Sequence, residues 1–484
     1  MSGIGGTART APDAVAIVSM AQSVTFGELD ERQRRFGGAL RSAVLGTGDR
    51  IAIVSGNRVE SLEVTIGALR AGIVPVPINP LLTPTEIDYL LEDSGARWLF
   101  TDRPLEIEDD DVTIVTFGDA YERMLFDAEP APLADHVRGR PMHYTSGSTG
   151  RPKGVWVAPG DEDPAEKLSR DFRELWGLSS EDVHLVCSPL AHSAPHRFAM
   201  RTLEAGGTVA LITRFEAREA LAAIDLFGVT STFMVPTHLE RILALQNELG
   251  RYDTSSMRLL AHAGAPIRET TKRRAIEIFP AGSVWEFYGS TEGPATRIST
   301  EEWLRKPGSV GTPRPGAKII ITDERGRKLP AGETGEIWVS DPDVERFEYW
   351  GDPVKTNQAW RKGAFTSGDL GYLDDEGYLF LTGRKHDTII TGGVNVYPQE
   401  VERVLLEHPA VGEATVFGAP NDEWGQEVRA QVVATEGETL DPGDLTAWAR
   451  ERLASFKCPR AIEVVASLPK GPTGKTIRPS AEPS

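Results

Sequence analysis

The chain has 484 residues, which is too long for one compact core, so at least two domains are expected. Its 2 cysteines argue against a disulfide scaffold, and its formal net charge of −19 argues against nucleic acid as a partner. No apolar stretch approaches the length of a membrane span, and the first residues lack a signal-peptide core. We therefore expect a cytoplasmic protein.

Strands and helices alternate through the first half of the chain. Residues 50–54 form an apolar run typical of a buried strand, and 61–72 have helical spacing that ends at a glycine. The prolines of 73–78 predict a strand at the margin of a sheet. The run 83–86, Thr-Pro-Thr-Glu, is a capping box with proline at the first helical position, and it predicts a helix through Leu91.

The same alternation continues downstream and predicts sheets flanked by helices on both faces. Further strands are predicted at 98–100, 183–187, 208–212 and 230–235, and a further helix at 217–227. The segment 102–140 is acidic, and we interpret it as a solvated surface connection without a function of its own.

After residue 293, glycine and proline become frequent, and strands at 318–322 and 335–339 predict a small antiparallel β-unit. From residue 384 onward, helices and strands return. Helices are predicted at 398–407 and 443–453, and strands at 414–417 and 428–433. This part is typical of a compact α+β domain of about a hundred residues.

Residues 144–154 read Tyr-Thr-Ser-Gly-Ser-Thr-Gly-Arg-Pro-Lys-Gly and have the composition of a phosphate-binding loop. Glycine lets backbone N–H groups turn towards an anion, and the hydroxyls add donors. A flexible Gly/Ser linker is the alternative. Arg151 and Lys153 add positive charge, which favours the phosphate site.

The run Gly474-Lys475-Thr476 resembles the end of a P-loop, but Pro469 occupies the position where that motif needs its first glycine. The upstream loop does not fit either, because Lys153 is followed by Gly154 and not by Ser or Thr. The sequence therefore disfavours transfer of the γ-phosphate, as in kinases and GTPases. Attack at the α-phosphate of ATP is the chemistry that we expect.

Several short segments follow one another in a characteristic order, at 144–154, 188–192, 288–293, 366–370, 383–398 and 470–475. Over essentially the whole chain, their order and spacing resemble the adenylate-forming superfamily of acyl-CoA synthetases, peptide-synthetase adenylation domains and luciferases. The resemblance implies an α/β fold with two domains. Residues 1–383 would form a large N-terminal AMP-binding domain of two helix-flanked sheets plus a small β-barrel, and 384–484 a small mobile α+β domain that carries the catalytic lysine.

The resemblance also implies a reaction in two halves, with ATP, Mg²⁺ and coenzyme A as cofactors. A carboxylate attacks the α-phosphate to give an acyl-adenylate and pyrophosphate, and the thiol of coenzyme A then displaces AMP. The sequence leaves alternatives open: the acceptor could be a carrier protein or an amine, and the acid an unusual oxyacid such as nitrite. An inactive ATP- or AMP-binding relative is a third interpretation. We expect a stand-alone ligase, and whether it forms a homodimer is open.

The resemblance assigns most of the nucleotide site residue by residue. The phosphate loop would use Thr145, Ser146, Gly147, Ser148, Thr149, Gly150 and Lys153; the adenine segment Tyr288 and Gly289; the α-phosphate Thr291; Mg²⁺ Glu292; the ribose Asp369 and Arg384; the pantetheine tunnel Gly392 and Gly393; and the transition state Lys475. Taken alone, each of these residues would be an ordinary turn, surface or tail residue, so the assignments depend on the order of the segments.

The acid site is assigned to residues on several segments. His192 would lie beside the reacting carboxylate, although a lone histidine is commonly structural. The pocket would be lined by His196, Arg197, Met234, His262 and Gly264. Because His196 and Arg197 are polar for a fatty-acyl tunnel, an inward orientation would favour a small, aromatic or polar acid over a long alkyl chain.

Overall fold

Local capping signals set several helix ends as the sequence predicts. In the computed structural model, which describes residues 3–145, 152–391, 394–421, 424–470 and 476–479, Thr83 and Glu86 form the predicted capping box. Glu86 Oε2 accepts from Thr83 N at 2.8 Å, and Thr83 Oγ1 accepts from Glu86 N at 3.4 Å. The helix runs one turn beyond Leu91 and closes at Gly95, whose φ of 64° suits a residue without a Cβ.

The helices of the described ranges are numbered in chain order. They are α1 Gly3–Thr10, α2 Phe26–Ser42, α3 Val59–Arg70, α4 Pro84–Ser94, α5 Asp119–Asp127, α6 Glu162–Trp176, α7 Ser193–Glu204, α8 Ala217–Phe227, α9 Pro236–Leu243, α10 Glu269–Ile278, α11 Thr300–Arg305, α12 Pro353–Ala359, α13 Pro398–Leu406 and α14 Pro442–Arg452.

The strands are numbered in the same way. They are β1 Val15–Ser19, β2 Ser23–Thr25, β3 Arg50–Val54, β4 Val74–Ile78, β5 Trp98–Thr101, β6 Thr113–Thr116, β7 His143–Thr145, β8 Lys153–Trp156, β9 Val183–Val186, β10 Thr208–Leu211, β11 Ser231–Met234, β12 Leu259–His262, β13 Val284–Gly289, β14 Pro294–Ile298, β15 Thr312–Pro313, β16 Lys318–Thr322, β17 Gly335–Ser340, β18 Glu348–Tyr349, β19 Trp360–Arg361, β20 Ala364–Phe365, β21 Asp369–Leu373, β22 Leu379–Arg384, β23 Ile389–Thr391, β24 Val394–Val396, β25 Val411–Asn421, β26 Gly425–Ala434 and β27 Ala461–Val464.

The chain divides into two units by packing. The first comprises Met1–Gly264, Arg273–Pro294 and Pro342–Gln358, and the second comprises Ala265–Lys272, Ala295–Asp341 and Ala359–Ser484. The predicted strand–helix alternation is confirmed, as are a large N-terminal domain and a smaller C-terminal one. The boundary placed between residues 383 and 384 stays a prediction.

The first unit contains two largely parallel sheets and one small antiparallel sheet. Within the first unit, the larger sheet contains the strands β13-β12-β11-β9-β10-β1-β2 in this order, and among them only the pair β1–β2 is antiparallel. The second has the order β4-β3-β5-β6, with the proline-containing β4 at its edge as predicted. Strands β18, β8 and β7 form the antiparallel sheet. Helix α7 packs on β9, β10 and β11.

The interpretation of 102–140 as a solvated connection is wrong. This segment contains β6, which extends the second parallel sheet, and α5. Tyr121 and Leu125, four residues apart on one face of α5, are buried in the same core as Phe36 and Phe100. The acidic residues around them concealed a short amphipathic helix.

The second unit is mostly antiparallel. Strands β19-β20-β17-β21-β22, with β16 against β17, form the predicted β-unit, and β14 pairs with β15. A further sheet, β24-β23-β26-β25 with β27 parallel to β26, packs on α13 and α14. Its core includes Val401, Leu405, Val428 and Leu445. This is the α+β arrangement expected after residue 384.

We predict that Phe100→Ala lowers the free energy of unfolding of the first unit by about 3–5 kcal/mol, because it leaves a cavity in a well-packed core. Phe100 is fully buried, and its ring centroid lies 5.4 Å from that of Phe36 and 6.2 Å from that of Tyr121. Urea unfolding followed by tryptophan fluorescence measures the change. Phe126→Ala is the control, since Phe126 is 80% exposed. Equal effects of the two substitutions would contradict the packing described for this core.

Candidate functional site

The carboxyl ends of neighbouring parallel strands bring the predicted site segments of the first unit together. Met234 at the end of β11 pairs with His262 at the end of β12, and His262 pairs with Glu286 in β13. Parallel α/β sheets bind their ligands at this edge. The loops that follow these strands, and the one that leads from β9 into α7, carry the residues discussed below.

A carboxylate, a phenol and an ammonium group lie in contact just after β13. Glu292 is 5% exposed, and its Oε1 accepts a hydrogen bond from Tyr349 Oη at 2.8 Å. Burial, and then the carboxylate of Glu292, raise the pKa of the Tyr349 phenol, which therefore stays protonated and donates. The Nζ of Lys153 lies 4.0 Å from the centroid of the Tyr349 ring. Tyr349 thus joins the predicted metal ligand to the predicted phosphate cation.

Arg140 fixes the backbone of the same loop. Its Nη1 donates to the main-chain carbonyls of Thr291 at 3.1 Å and Glu292 at 3.3 Å. Burial lowers the pKa of this guanidinium, while the carboxylates of Glu345 and Glu292 oppose the shift. The Thr291–Glu292 peptide is therefore held in place from a distant part of the chain.

The predicted phosphate loop connects two paired strands. Thr145 at the end of β7 and Lys153 at the start of β8 are register partners in an antiparallel pair. Ser146, Gly147, Ser148, Thr149 and Gly150 lie outside the described residues. The two ends of the loop are therefore fixed beside each other.

The adenine segment follows directly from β13. Tyr288 is partly buried within the strand, Gly289 ends it and is exposed, and Thr291 is partly buried in the turn beyond. Ser290 N donates to Gly293 O at 2.9 Å, which closes this turn. Tyr288, Gly289, Thr291 and Glu292, the predicted residues of this segment, thus lie at the end of β13 and in the turn that follows it.

Three histidines surround the start of α7. His192 is the N-cap residue of this helix, and the ring of His143 lies 6.2 Å from that of His196. The Nδ1 of His143 is 3.1 Å from the carbonyl of Ala191, so this nitrogen carries the proton. Burial, and then the neighbouring His196, lower the pKa of His143 well below its usual value. Burial, and then the charges of Arg197 and Arg201, lower the pKa of His196 to about 3. Both imidazoles are neutral at pH 7.

The other residues predicted for the acid pocket are not equally accessible. His196 is buried and Arg197 is partly buried, so these two polar residues do not lie on the outer surface. Met234 and His262 are fully buried in the sheet, and the Nε2 of His262 lies 3.9 Å from Glu286. Gly264 is exposed and has a φ of 92°, which favours glycine.

The far end of α7 carries a fully buried charge network. Arg201 Nη1 donates to Glu204 Oε2 at 2.5 Å, and Ser169 Oγ donates to the same oxygen at 2.8 Å. His136 Nδ1 lies 3.3 Å from Glu204 Oε1. Burial opposes ionisation of Glu204, but Arg201 and these hydrogen bonds lower its pKa to about 2. The network joins α6 and α7, and the carboxylate of Glu204 accepts from both of them.

In the second unit, the two predicted ribose contacts bind each other. Asp369 and Arg384 are register partners in β21 and β22, and Arg384 Nε donates to Asp369 Oδ1 at 3.1 Å. Ser367 Oγ donates to Asp369 Oδ2 at 2.9 Å. Asp369 is 9% exposed. The carboxylate is thereby oriented, and its role towards ribose stays a prediction.

The C-terminal segment is anchored on both sides of the predicted catalytic lysine. Lys470 forms an isolated antiparallel bridge with Thr476, and Arg478 donates to both carboxylate oxygens of Glu402 at 2.8 and 2.9 Å. Lys475 itself, and likewise Gly392 and Gly393, lie outside the described residues. The described part of the tail is thus held by specific contacts.

The carboxylate of Glu292 fits a Mg²⁺ ion that is shared with substrate phosphates better than it fits a metal ion held by protein ligands alone. Within the described ranges, no group of three or more His, Cys, Asp or Glu side chains could hold a metal ion. Mg²⁺ is usually held by one or two carboxylates together with substrate phosphates. A single buried carboxylate beside the Lys153 ammonium fits that pattern, with Oε2 available in addition to the oxygen bonded by Tyr349.

The sequence did not point to Tyr349, Arg140 or His143. Tyr349 is 57 residues from Glu292 and lies on a two-residue strand, which has no periodicity to detect. Arg140 lies in the segment interpreted as a surface connection. His143 directly precedes the phosphate motif, and this adjacency is the one signal that could have identified it.

Comparison with known proteins identifies the family of this chain. A family model described as "AMP-binding enzyme" matches residues 6–350, and one described as "AMP-binding enzyme C-terminal domain" matches residues 400–475. The fatty acid–[acyl-carrier-protein] ligase ScoC of Streptomyces coeruleorubidus is 34% identical over 491 residues, covering 96% of this chain and 92% of that protein. The feruloyl-CoA synthase of an Amycolatopsis species is 35% identical, covering 97% and 96%.

A solved structure agrees with the fold throughout. The o-succinylbenzoate coenzyme A synthetase of Bacillus subtilis, in complex with ATP and magnesium ion, superposes with a TM-score of 0.86 at 31% identity. The match covers 98% of this chain and 97% of that one. Both units of the present chain are therefore represented in an enzyme crystallised with ATP.

We predict that Tyr349→Phe raises the Mg²⁺ concentration needed for half-maximal activity by about 10- to 100-fold, the usual cost of removing a residue that orients a metal ligand. The substitution deletes the 2.8 Å hydrogen bond to Glu292 and keeps the ring beneath Lys153. The Mg²⁺ dependence of ATP–pyrophosphate exchange measures the effect. Tyr378→Phe is the control, because its hydroxyl reaches Glu302 in the second unit. An unchanged Mg²⁺ requirement would refute the orienting role.

Proposed function

The chain belongs to the AMP-binding enzymes, and we propose that it is an AMP-forming acid–thiol ligase that uses ATP and Mg²⁺ to activate a carboxylic acid and transfers the acyl group to coenzyme A. The observation that carries this proposal is the contact series Lys153–Tyr349–Glu292 at the end of a parallel sheet. It places a phosphate cation over the face of one aromatic ring and a metal-type carboxylate at the hydroxyl of the same ring.

The first half-reaction makes a mixed anhydride. A carboxylate oxygen of the acid attacks the α-phosphorus of ATP, the bond to the bridging oxygen breaks, and pyrophosphate leaves. Lys153 attracts the β- and γ-phosphates, while Thr291 and Glu292 are held in place by Arg140. When bound at Glu292, Mg²⁺ neutralises phosphate charge. Lys475 stabilises the charge that develops in the transition state.

The second half-reaction consumes the adenylate. The sulfur of coenzyme A attacks the acyl carbon, AMP leaves, and the thiol proton is released to solvent. Gly392 and Gly393 are the positions that we assign to the pantetheine tunnel. Asp369, oriented by Arg384, is the acceptor that we assign to the ribose hydroxyls.

The proposal also covers the acyl acceptor and the cellular location. Two of the named relatives, feruloyl-CoA synthase and o-succinylbenzoate coenzyme A synthetase, use coenzyme A by their names, whereas ScoC is named for an acyl-carrier protein. No described helix has the length and apolar character needed to cross a bilayer. We propose the cytoplasm as the location and make no choice between monomer and homodimer.

A panel of acids tests the proposed activity. Pyrophosphate release is measured with ATP and each acid, with and without coenzyme A, and products are identified by mass spectrometry. The proposal requires a coenzyme A thioester from at least one carboxylic acid. Products formed only with carrier protein, only with an amine, or only from nitrite would contradict it. Tight ATP binding without any turnover would identify an inactive relative.

We predict that Lys475→Ala slows pyrophosphate release by about 10²–10³-fold, because it removes charge stabilisation from the adenylation transition state. Thioester formation from a supplied acyl-adenylate should keep its rate, since that step releases AMP without pyrophosphate. Single-turnover assays separate the two steps. The matched control is Lys470→Ala, whose ammonium pairs with Glu413 at 2.8 Å. Adenylation at the wild-type rate in Lys475→Ala would remove this residue from the mechanism.

A further inference from the structure

Helix α7 carries two arginines that differ in their partners. Arg201 is bound to the carboxylate of Glu204 at 2.5 Å. Arg197, one turn earlier, makes no hydrogen bond or ion pair with the described residues. The charged groups that face Arg197 most closely are Arg140 and Arg201, both of the same sign. One guanidinium of this helix is thus neutralised by the fold and the other is not.

The nearby carboxylates are already engaged. Glu204 is taken by Arg201, Ser169 and His136. Glu345 lies near Arg140 and Arg201, whose charges oppose the rise that burial causes in its pKa. Glu292 is bound by Tyr349. The described residues therefore supply no counter-ion for Arg197.

Two other buried side-chain nitrogens also lack hydrogen-bond partners among the described residues. His196 is 1% exposed, and its Nε2 has no hydrogen-bond partner in the described part of the chain. The same holds for Nη2 of Arg140. Burial, and then the like charges of Arg140 and Arg201, lower the pKa of the Arg197 guanidinium to about 9. Buried polar groups without partners are rare and costly, and they are typical of ligand sites.

The position of Arg197 separates it from the reacting end of the site. His192, assigned to the neighbourhood of the reacting carboxylate, caps α7. Arg197 follows five residues later, about 7.5 Å along the helix axis at 1.5 Å per residue. The phosphate and metal residues, Lys153 and Glu292, are on other elements. With the reacting carboxylate assigned to His192, we assign an anion bound by Arg197 to a second group of the acid.

We propose that the acid substrate carries a second anionic group, such as a second carboxylate, and that Arg197 binds this group, assisted by His196. The inference rests on the proposed acid–thiol ligase activity and deepens it. Arginine suits the role because its planar fork matches a carboxylate with two parallel N–H bonds. The neutral His196 contributes a further polar contact without requiring protonation.

The test compares matched acids on the full-length enzyme. Dicarboxylates from malonate to adipate, together with phthalate, are each paired with the monocarboxylate of equal length or with benzoate, and nitrite is included. We expect kcat/KM for the best dicarboxylate to exceed that for its matched monocarboxylate by about 100-fold. This factor corresponds to the usual free-energy contribution of hydrogen bonds between charged groups. A wild-type enzyme that prefers monocarboxylates or nitrite would overturn the inference.

Substitution of Arg197 assigns the preference to this residue. Arg197→Leu should abolish the dicarboxylate preference through KM, with KM for ATP and coenzyme A unchanged, and Arg197→Lys should restore part of it. Arg170→Leu is the matched control, because Arg170 is an exposed arginine on α6 of the same unit. An equal loss for both kinds of acid would show that Arg197 serves the reacting carboxylate or the fold, and would refute the inference. So would a raised KM for ATP or coenzyme A.

The two proposals fail in different ways. If no acid yields a coenzyme A thioester, the ligase activity itself is wrong. If thioesters form without a preference for a second anionic group, only the role of Arg197 is wrong. Thermal unfolding of Arg197→Leu within the range of the Arg170→Leu control shows that the comparison is made on folded protein.

Discussion

The hydrogen bonds from Arg140 to the carbonyls of Thr291 and Glu292 hold the loop on which the site depends. This loop leaves the central strand β13 and turns at once, so nothing in its own sequence fixes where Glu292 points. Arg140 fixes the backbone and Tyr349 fixes the carboxylate. Because the partner of Glu292 is a neutral phenol and not a cation, its negative charge remains available to a metal ion.

Regular local signals predicted much of the fold. The capping box at Thr83 and the helix at Ala217–Phe227 were placed correctly, because caps and 3.6-residue periodicity act within one element. The segment 102–140 was misread, since the buried face of α5 rests on Tyr121 and Leu125 among acidic neighbours. Composition averaged over a long stretch hides two well-spaced apolar residues.

The residues of the candidate site likewise form two groups, those that the sequence predicted and those that it did not. Residues that belong to a continuous motif, such as Thr291 and Glu292, were found from the sequence. Those that act from a distance were not: Tyr349 reaches Glu292 from a two-residue strand, and Arg140 from a connection between sheets. The difference between the two arginines of α7 had a signal in the sequence, because Glu204 stands three residues after Arg201 on the same helix. The contacts of Glu204 with Ser169 and His136, from other parts of the chain, had none.

The overall charge makes this local arrangement necessary. With a net charge of −19, the long-range field of the chain repels ATP, coenzyme A and an acid substrate alike. Physiological salt screens exposed charges over roughly 8 Å, so the repulsion acts mainly close to the surface, and capture depends on cations within the site. Arg197 meets this need only if the fold leaves its charge uncompensated. Arg197 is the residue of α7 at which the fold does so, at a cost in solvation that a bound anion would offset.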